Sequence, residues 1–313
     1  MPEIFLHDLR DFREILQSAA FEQRIQDPSL VEKDYWIMHA LYGLKKLGLR
    51  FALKGGTSLS KGFGVIERFS EDIDIWIAPF DDIRVSERSA SKAAIRSRQE
   101  FFEKLRQKIS IPGIAAVERD REYDDDKLRN VGLRLVYDSQ YRPVEGLKHG
   151  ILLEVGFDTI SPNTPCDISS WAWDFARARG LEATDNRALA VVCYNPEYTF
   201  VEKLQTVTKK FRQFRESGLL PRNFLRHYYD LYQLLGLPEV QAFIGTPEYV
   251  EHKRVRFRSE NQNLSETAAF TLSDNATRQL FNTEYQKTAA LYYRGQVPLE
   301  EIIRRIEAEL KRL

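Results

Sequence analysis

Two short stretches carry the residue types best able to do chemistry together. One is Lys54-Gly55-Gly56-Thr57-Ser58-Leu59, and the other is Arg68-Phe69-Ser70-Glu71-Asp72-Ile73-Asp74-Ile75. Adjacent glycines after a strand let the backbone turn sharply and come close to a ligand. A helix starting at Thr57 or Ser58 would turn its first amides and the positive end of its dipole toward that ligand. Phosphate is the natural guest, with Gly55, Gly56 and Thr57 in the turn, the Ser58 hydroxyl as donor, and Lys61 as a cation that either reaches a phosphate or is solvated. Asp72 and Asp74 fall at i and i+2. On a strand they share a face, with Cα atoms about 6.5–7 Å apart. Two carboxylates that close repel unless a cation lies between them. A hard divalent ion, Mg²⁺ or Mn²⁺, suits oxygen ligands and also binds nucleotide phosphates. It can activate an attacking hydroxyl and neutralise a pyrophosphate leaving group.

Either feature alone is ordinary, the diglycine as a turn and the paired aspartates as a polar strand face. In this order and spacing they read as a phosphoryl- or nucleotidyl-transfer site. The Walker P-loop is set aside, because no second glycine stands directly before Lys61. A third carboxylate, Glu154, interrupts the apolar run Ile151-Leu152-Leu153-Glu154-Val155. Two readings of it stand level: a strand residue facing solvent, or a third metal ligand or general base.

The elements that would position these groups can be read from periodicity. Residues 1–47 read as helical, with Ser29 to Glu32 fitting a capping box and Gly48 a stop. A strand ends at Leu53, a helix follows over 57–63, and a strand runs to Ile77 with Ile73, Ile75 and Ile77 on one face. Residues 84–110 are helix-forming, with Phe101, Phe102, Leu105 and Ile109 as the apolar stripe. Strands are predicted at 114–118, 131–137, 151–157 and 188–194, with a loop at 161–165. Asp124-Asp125-Asp126 reads as a solvated turn. From Glu197 the chain reads as helices over 197–216, 222–236, 265–271, 274–291 and 298–312, with a loop at 250–262. The expected organisation is an α/β (α+β) fold in three parts. An N-terminal helical segment spans 1–47, a nucleotidyltransferase core of mixed sheet and flanking helices spans 48–195, and a helical C-terminal domain spans 196–313.

Composition sets bounds. Of 313 residues, 43% are hydrophobic, enough for a core, and 46 basic residues balance 46 acidic ones. Net charge therefore points to no partner, and only local clustering could. One cluster exists: Lys203, Lys209, Lys210, Arg212, Arg215, Arg222 and Arg226 against the single acid Glu216. It reads either as an RNA backbone surface or as a solvated or antitoxin-docking face. Cys166 and Cys193 read as buried thiols without a disulfide. No signal peptide or membrane span is evident, so a cytoplasmic protein is expected.

At these residues the sequence resembles a known family. KGGTSLSKGFG followed by RFSEDIDI resembles the AbiEii/AbiGii toxin nucleotidyltransferases, of the DNA polymerase β-type superfamily. Glu32-Lys33-Asp34-Tyr35 resembles an earlier element of that family, and Glu197 to Leu204 and Tyr229 to Tyr232 its two later motifs. The resemblance spans about residues 30–236. It implies that Lys203 and Asp230 complete the active site, Lys203 as a charge on the triphosphate and Asp230 positioning it or sensing the nucleotide. It further implies a toxin of a toxin–antitoxin or abortive-infection (antiviral defence) system, held in check by a cognate antitoxin. The implied reaction is transfer of a nucleotide from an NTP, and some members modify the acceptor end of tRNA. For this chain the expectation is transfer of NMP to an acceptor that is RNA, with tRNA as one candidate. The competing expectation is an NTP-binding defence protein acting by protein phosphorylation or complex formation.

Overall fold

A computed structural model describes residues 3–142 and 149–313. The chain divides into two compact units, residues 1–63 with 69–194, and residues 64–68 with 195–313. The helices of the expected N-terminal segment are part of the first unit.

The first unit is built on one mixed sheet of seven strands among the described residues. They are β1 (Phe51–Leu53), β2 (Asp72–Ile77), β3 (Ile114–Asp120), β4 (Asn130–Tyr137), β5 (Ile151–Gly156), β6 (Asn163–Ile168) and β7 (Ala188–Tyr194), in the order β3-β4-β5-β2-β1-β7-β6. The β2–β5 and β1–β7 pairs are parallel, the rest antiparallel. Alternation on β2 sets the two faces. Ile73, Ile75 and Ile77 are buried; Ile73 and Ile75 are in register with Leu153 and Val155 of β5 and through them with Leu133 and Val131 of β4. Asp72, Asp74 and Trp76 occupy the opposite face and are half-buried.

Helices α1 (Phe12–Gln23), α2 (Pro28–Lys46), α4 (Lys92–Lys108) and α5 (Trp171–Ala178) cover the apolar surfaces. Trp36 of α2 stacks on Tyr137 of β4 at 4.6 Å, and Phe101 of α4 packs on Phe157 at 5.6 Å. The short α3 (Gly55–Thr57) runs into a wider helical turn, Ser58–Gly62.

The second unit is helical: α6 (Pro196–Ser217), α7 (Arg226–Leu234), α8 (Pro238–Phe243), α9 (Pro247–Arg256), α10 (Asn275–Gln286) and α11 (Leu299–Glu309). Phe211, Phe214, Phe224, Tyr228 and Phe281 form an aromatic cluster at its centre, with Phe281 within 5.2 Å of Phe214 and 5.6 Å of Phe224. Among the described residues no helix is long and apolar enough to cross a membrane, and Cys166 and Cys193 are free thiols.

Several local expectations are corrected. The α2 cap is Asp27, whose carboxylate accepts from Ser29 N at 2.9 Å. It forestalls the Ser29–Glu32 box, and Glu32 instead accepts from Ser139 Oγ and Gln140 N. Residues 163–165 are not loop but the start of β6. It is an edge strand, where a proline without an N–H is tolerated. The expected loop at 250–262 begins inside α9, which Thr246 caps by accepting from Tyr249 N. Asp124 is not simply solvated, because it pairs with Arg119 at 3.0 Å. The helix expected over 265–271 is reduced to a single 3-10 turn at Leu264–Glu266.

Candidate active site

The turn after β1 is pressed against β2. Gly55 has φ +61, and a Cβ there would lie 1.8 Å from the Asp74 carboxylate, so no other residue fits without displacing that group. Lys54 N donates to Asp74 O at 2.9 Å, and Thr57 Oγ1 donates to Asp72 O at 2.6 Å. The glycine turn and the two aspartates are thereby fixed to one another from both backbone and side chain. Gly56 is buried inside the turn.

The other expected phosphate ligands are committed within the fold. Thr57 and Ser58 are fully buried, and the Ser58 hydroxyl donates to Tyr194 O at 3.3 Å rather than facing a ligand. Lys61 Nζ lies 2.7 Å from buried Asp34, whose other oxygen accepts from Trp171 N at 2.9 Å. That pairing explains why Lys61 is held inward: an uncompensated buried carboxylate would be costly. Lys54 pairs with Asp158 at 2.7 Å.

Glu154 stands beside Asp74 in the β2–β5 register and is half-buried, so the simple solvent-facing reading does not describe it. It does not close a three-carboxylate cage either. Among the described residues no group of three or more His, Cys, Asp or Glu side chains is gathered tightly enough to hold an ion. The geometry gives a reason. Asp74 leans toward Gly55, beyond β1, while Glu154 lies on β5, on the other side of β2. Lys33 of α2 is buried, and Glu71 and Asp72 act on its charge. Burial pushes its ammonium below the usual lysine range, with those carboxylates opposing. It is a cation near the site to which the sequence reading gave no role.

In the second unit a different set converges. Asp230 is fully buried and accepts a fork from Arg68, Nε at 2.6 Å and Nη2 at 2.7 Å. Its Oδ2 is also 2.9 Å from Lys203 Nζ. Burial pushes the Asp230 carboxyl upward, but the charges and hydrogen bonds of Arg68 and Lys203 outweigh it and hold the group well below the usual carboxylate range. Lys203 Nζ also sits 3.3 Å from His227 Nδ1. Burial and the adjacent cations keep that imidazole far below its ordinary pKa, hence neutral and able to accept. The lysine is therefore held between an anion and a neutral acceptor.

A family described as the nucleotidyl transferase AbiEii toxin of type IV toxin–antitoxin systems matches residues 37–306. The chain belongs to the AbiEii family. It is accordingly a toxin nucleotidyltransferase, which implies an NTP substrate and an antitoxin partner. Glu32-Lys33-Asp34-Tyr35 lies just ahead of the matched span. A solved structure of an antigenic nucleotidyltransferase-like protein from Paracoccidioides brasiliensis aligns over 87% of this chain and 97% of its own, at 14% identity and TM-score 0.35. No curated protein matches.

In this AbiEii chain the expected residues fall into two groups. Gly55, Gly56, Asp72 and Asp74 are brought together in the first unit, and Lys203 and Asp230 in the second. Sequence reading missed Arg68 and His227 as partners of Lys203 and Asp230. A signal was available for Arg68, which lies inside the quoted RFSEDIDI string.

Proposed function

We propose that the chain transfers NMP from an NTP to an RNA acceptor, with a divalent ion held by Asp72 and Asp74 and with Lys203 of the helical unit as a phosphate-binding cation. The observation that carries this is the contact of Gly55 with the Asp74 carboxylate beside Asp72. It leaves no room for a side chain at the turn and holds two hard oxygen donors on one strand face. Such a pair fits Mg²⁺ or Mn²⁺, since magnesium is commonly bound by one or two carboxylates, with waters and substrate phosphates completing its shell. When bound, the ion supplies neutralisation of charge on the triphosphate. Glu154, at the register beside Asp74, belongs to the rim of this site rather than to the pair that grips the ion.

The remaining groups act by charge and position. Lys203 is a point charge suited to phosphate. Asp230 and Arg68 fix where that charge stands. Gly56, Thr57 and Ser58 shape the turn, and Lys61 braces it through Asp34. On α6 and the turn into α7, Lys209, Arg215 and Arg222 are exposed, which supports an electrostatic surface for RNA, tRNA included. In the same reading a cognate antitoxin neutralises the enzyme in the cytoplasm by denying access to NTP or RNA.

The test is incubation of the purified chain with each of four labelled NTPs and cellular RNA, beside Asp72→Ala. Labelled RNA and released pyrophosphate are expected from the unaltered chain alone. Nucleotide binding without pyrophosphate release would instead favour action by complex formation or protein phosphorylation.

A further inference from the structure

Near the start of α2 three charged residues follow one another, Glu32, Lys33 and Asp34, and all three are buried. Successive helical side chains point about 100° apart, so the three reach different neighbours. Glu32 accepts from Ser139 Oγ at 2.6 Å and from Gln140 N at 2.7 Å, just past the end of β4. Asp34 holds Lys61 at 2.7 Å, in the turn that follows the diglycine, and accepts from Trp171 N. Lys33, between them, is 6% exposed and is attracted by Glu71, itself buried, and by Asp72, where β2 begins. Arg134 acts on Lys33 as a like charge and is itself paired with Asp120. All of these groups belong to the first unit.

We propose that Lys33 is a positioning residue of the ion site: its ammonium steadies the Asp72 carboxylate while no ion is bound and, remaining there, sets a low affinity for the free ion. The proposal rests on the reading of Asp72 and Asp74 as ion ligands and adds to it the group that tunes them. Glu71, Asp72 and Asp74 place three carboxylates within four residues. Carboxylates so close repel one another unless a positive charge stands among them, and a buried one without a partner is costly. Lys33 supplies that charge from a helix rather than from solvent. The contacts of Glu32 and Asp34 fix α2 on either side of it, so the ammonium stays in place when an ion arrives. A resident cation then repels the incoming one. The free ion is held weakly, and substrate phosphates, which complete the shell of a carboxylate-bound magnesium, supply the rest of the grip. The lysine thereby couples occupancy of the ion site to arrival of the NTP.

The experiment measures Mn²⁺ binding to the full chain without nucleotide, by paramagnetic resonance of the unbound ion, so that the readout is independent of turnover. The unaltered chain is compared with Lys33→Met and Lys33→Arg. Lys33→Met leaves Glu71 buried without its cation, so the same step is also made in Glu71→Gln, where both charges are then gone. Thermal unfolding without the ion confirms which variants are folded, and the Glu71→Gln pair decides if Lys33→Met alone does not fold. Removing Lys33 is expected to tighten Mn²⁺ binding about tenfold in each folded background, whereas loss of a merely structural residue would weaken it. Lys33→Arg is expected to bind as the unaltered chain does. Unchanged or weaker binding on removal of Lys33, or Lys33→Arg binding as tightly as Lys33→Met, overturns the proposal. Asp74→Ala separates the two readings. Mn²⁺ binding that Asp74→Ala abolishes but Lys33→Met leaves unchanged refutes the role of Lys33 alone. Absent binding, or binding that survives Asp74→Ala, refutes the ion site and the proposal with it.

Discussion

Replacing Asp230 by Asn keeps the shape of the side chain and removes one negative charge from between two buried cations. Asp230 is 0% exposed and Arg68 2%, and the carboxylate meets Arg68 at 2.6 and 2.7 Å and Lys203 at 2.9 Å. Removing one partner of a buried pair costs about 3–5 kcal/mol, because the other charge is left uncompensated. Domains are stable by only about 5–15 kcal/mol, so the helical unit of Asp230→Asn should stand close to unfolding. Urea unfolding followed by a probe in that unit measures the loss. Arg68→Met and the double variant complete a cycle, in which a coupling of about 2–3 kcal/mol is expected for groups in direct contact. The double variant should regain part of the stability, since apolar replacements of buried ion pairs are often tolerated. It should not regain activity, because Lys203 has lost the anion that positions it. The sign of the pH dependence is also fixed. Asp230 is held below its unfolded value, so its contribution is present above the ordinary carboxylate range and is lost only as pH falls through its depressed folded pKa. A cost for Asp230→Asn below about 1 kcal/mol, or a coupling near zero, would refute the reasoning.

Further outcomes are expected elsewhere. Gly55→Ala places a Cβ 1.8 Å from the Asp74 carboxylate at φ +61; it should cost more than about 2 kcal/mol, beyond the ~1–2 of the backbone alone, and abolish transfer while Gly64→Ala, with nothing within 4 Å at φ +64, leaves transfer intact. His39, buried and bonded to Pro112 O and Asn186, is pushed down to about 4, chiefly by burial. Its unfolded form binds the proton more readily, so stability should fall by about 3 kcal/mol as pH drops from 6.5 to 4. His39→Gln should flatten that slope in urea midpoints, and an unchanged slope would exclude His39 as its source. Glu154→Gln should reduce pyrophosphate release less than about tenfold, while Asp74→Asn reduces it on the order of a hundredfold or more. Equal losses would make Glu154 a third ligand.

Legibility in the sequence followed the physics of each element. The strand at 72–77 and the glycine turn could be read because alternation and adjacent glycines are local signals. The neighbouring strands at 114–120, 130–137 and 151–156 were likewise visible as apolar runs. The edge strand β6 was hidden by Pro162 and Pro165, which read as loop, and α5 is a short helix with few turns to show a period. At the site, spacing alone placed Asp72 and Asp74 on one face. It could not show that Lys61 is bound to Asp34, 27 residues away, or that Ser58 faces Tyr194. Nor could it show that Arg68 forks onto Asp230, 162 residues on. Those pairings depend on tertiary contact, which no local period encodes.

The central claim is that Asp72 and Asp74, fixed by the Gly55 turn, hold the ion through which an NTP is used. Its most direct measurement is pyrophosphate release with labelled NTP and cellular RNA, with and without a chelator, for the unaltered chain and Asp74→Ala. Release and RNA labelling that require both the divalent ion and Asp74 are predicted. Release that persists in Asp74→Ala, or in the presence of the chelator, would contradict the account.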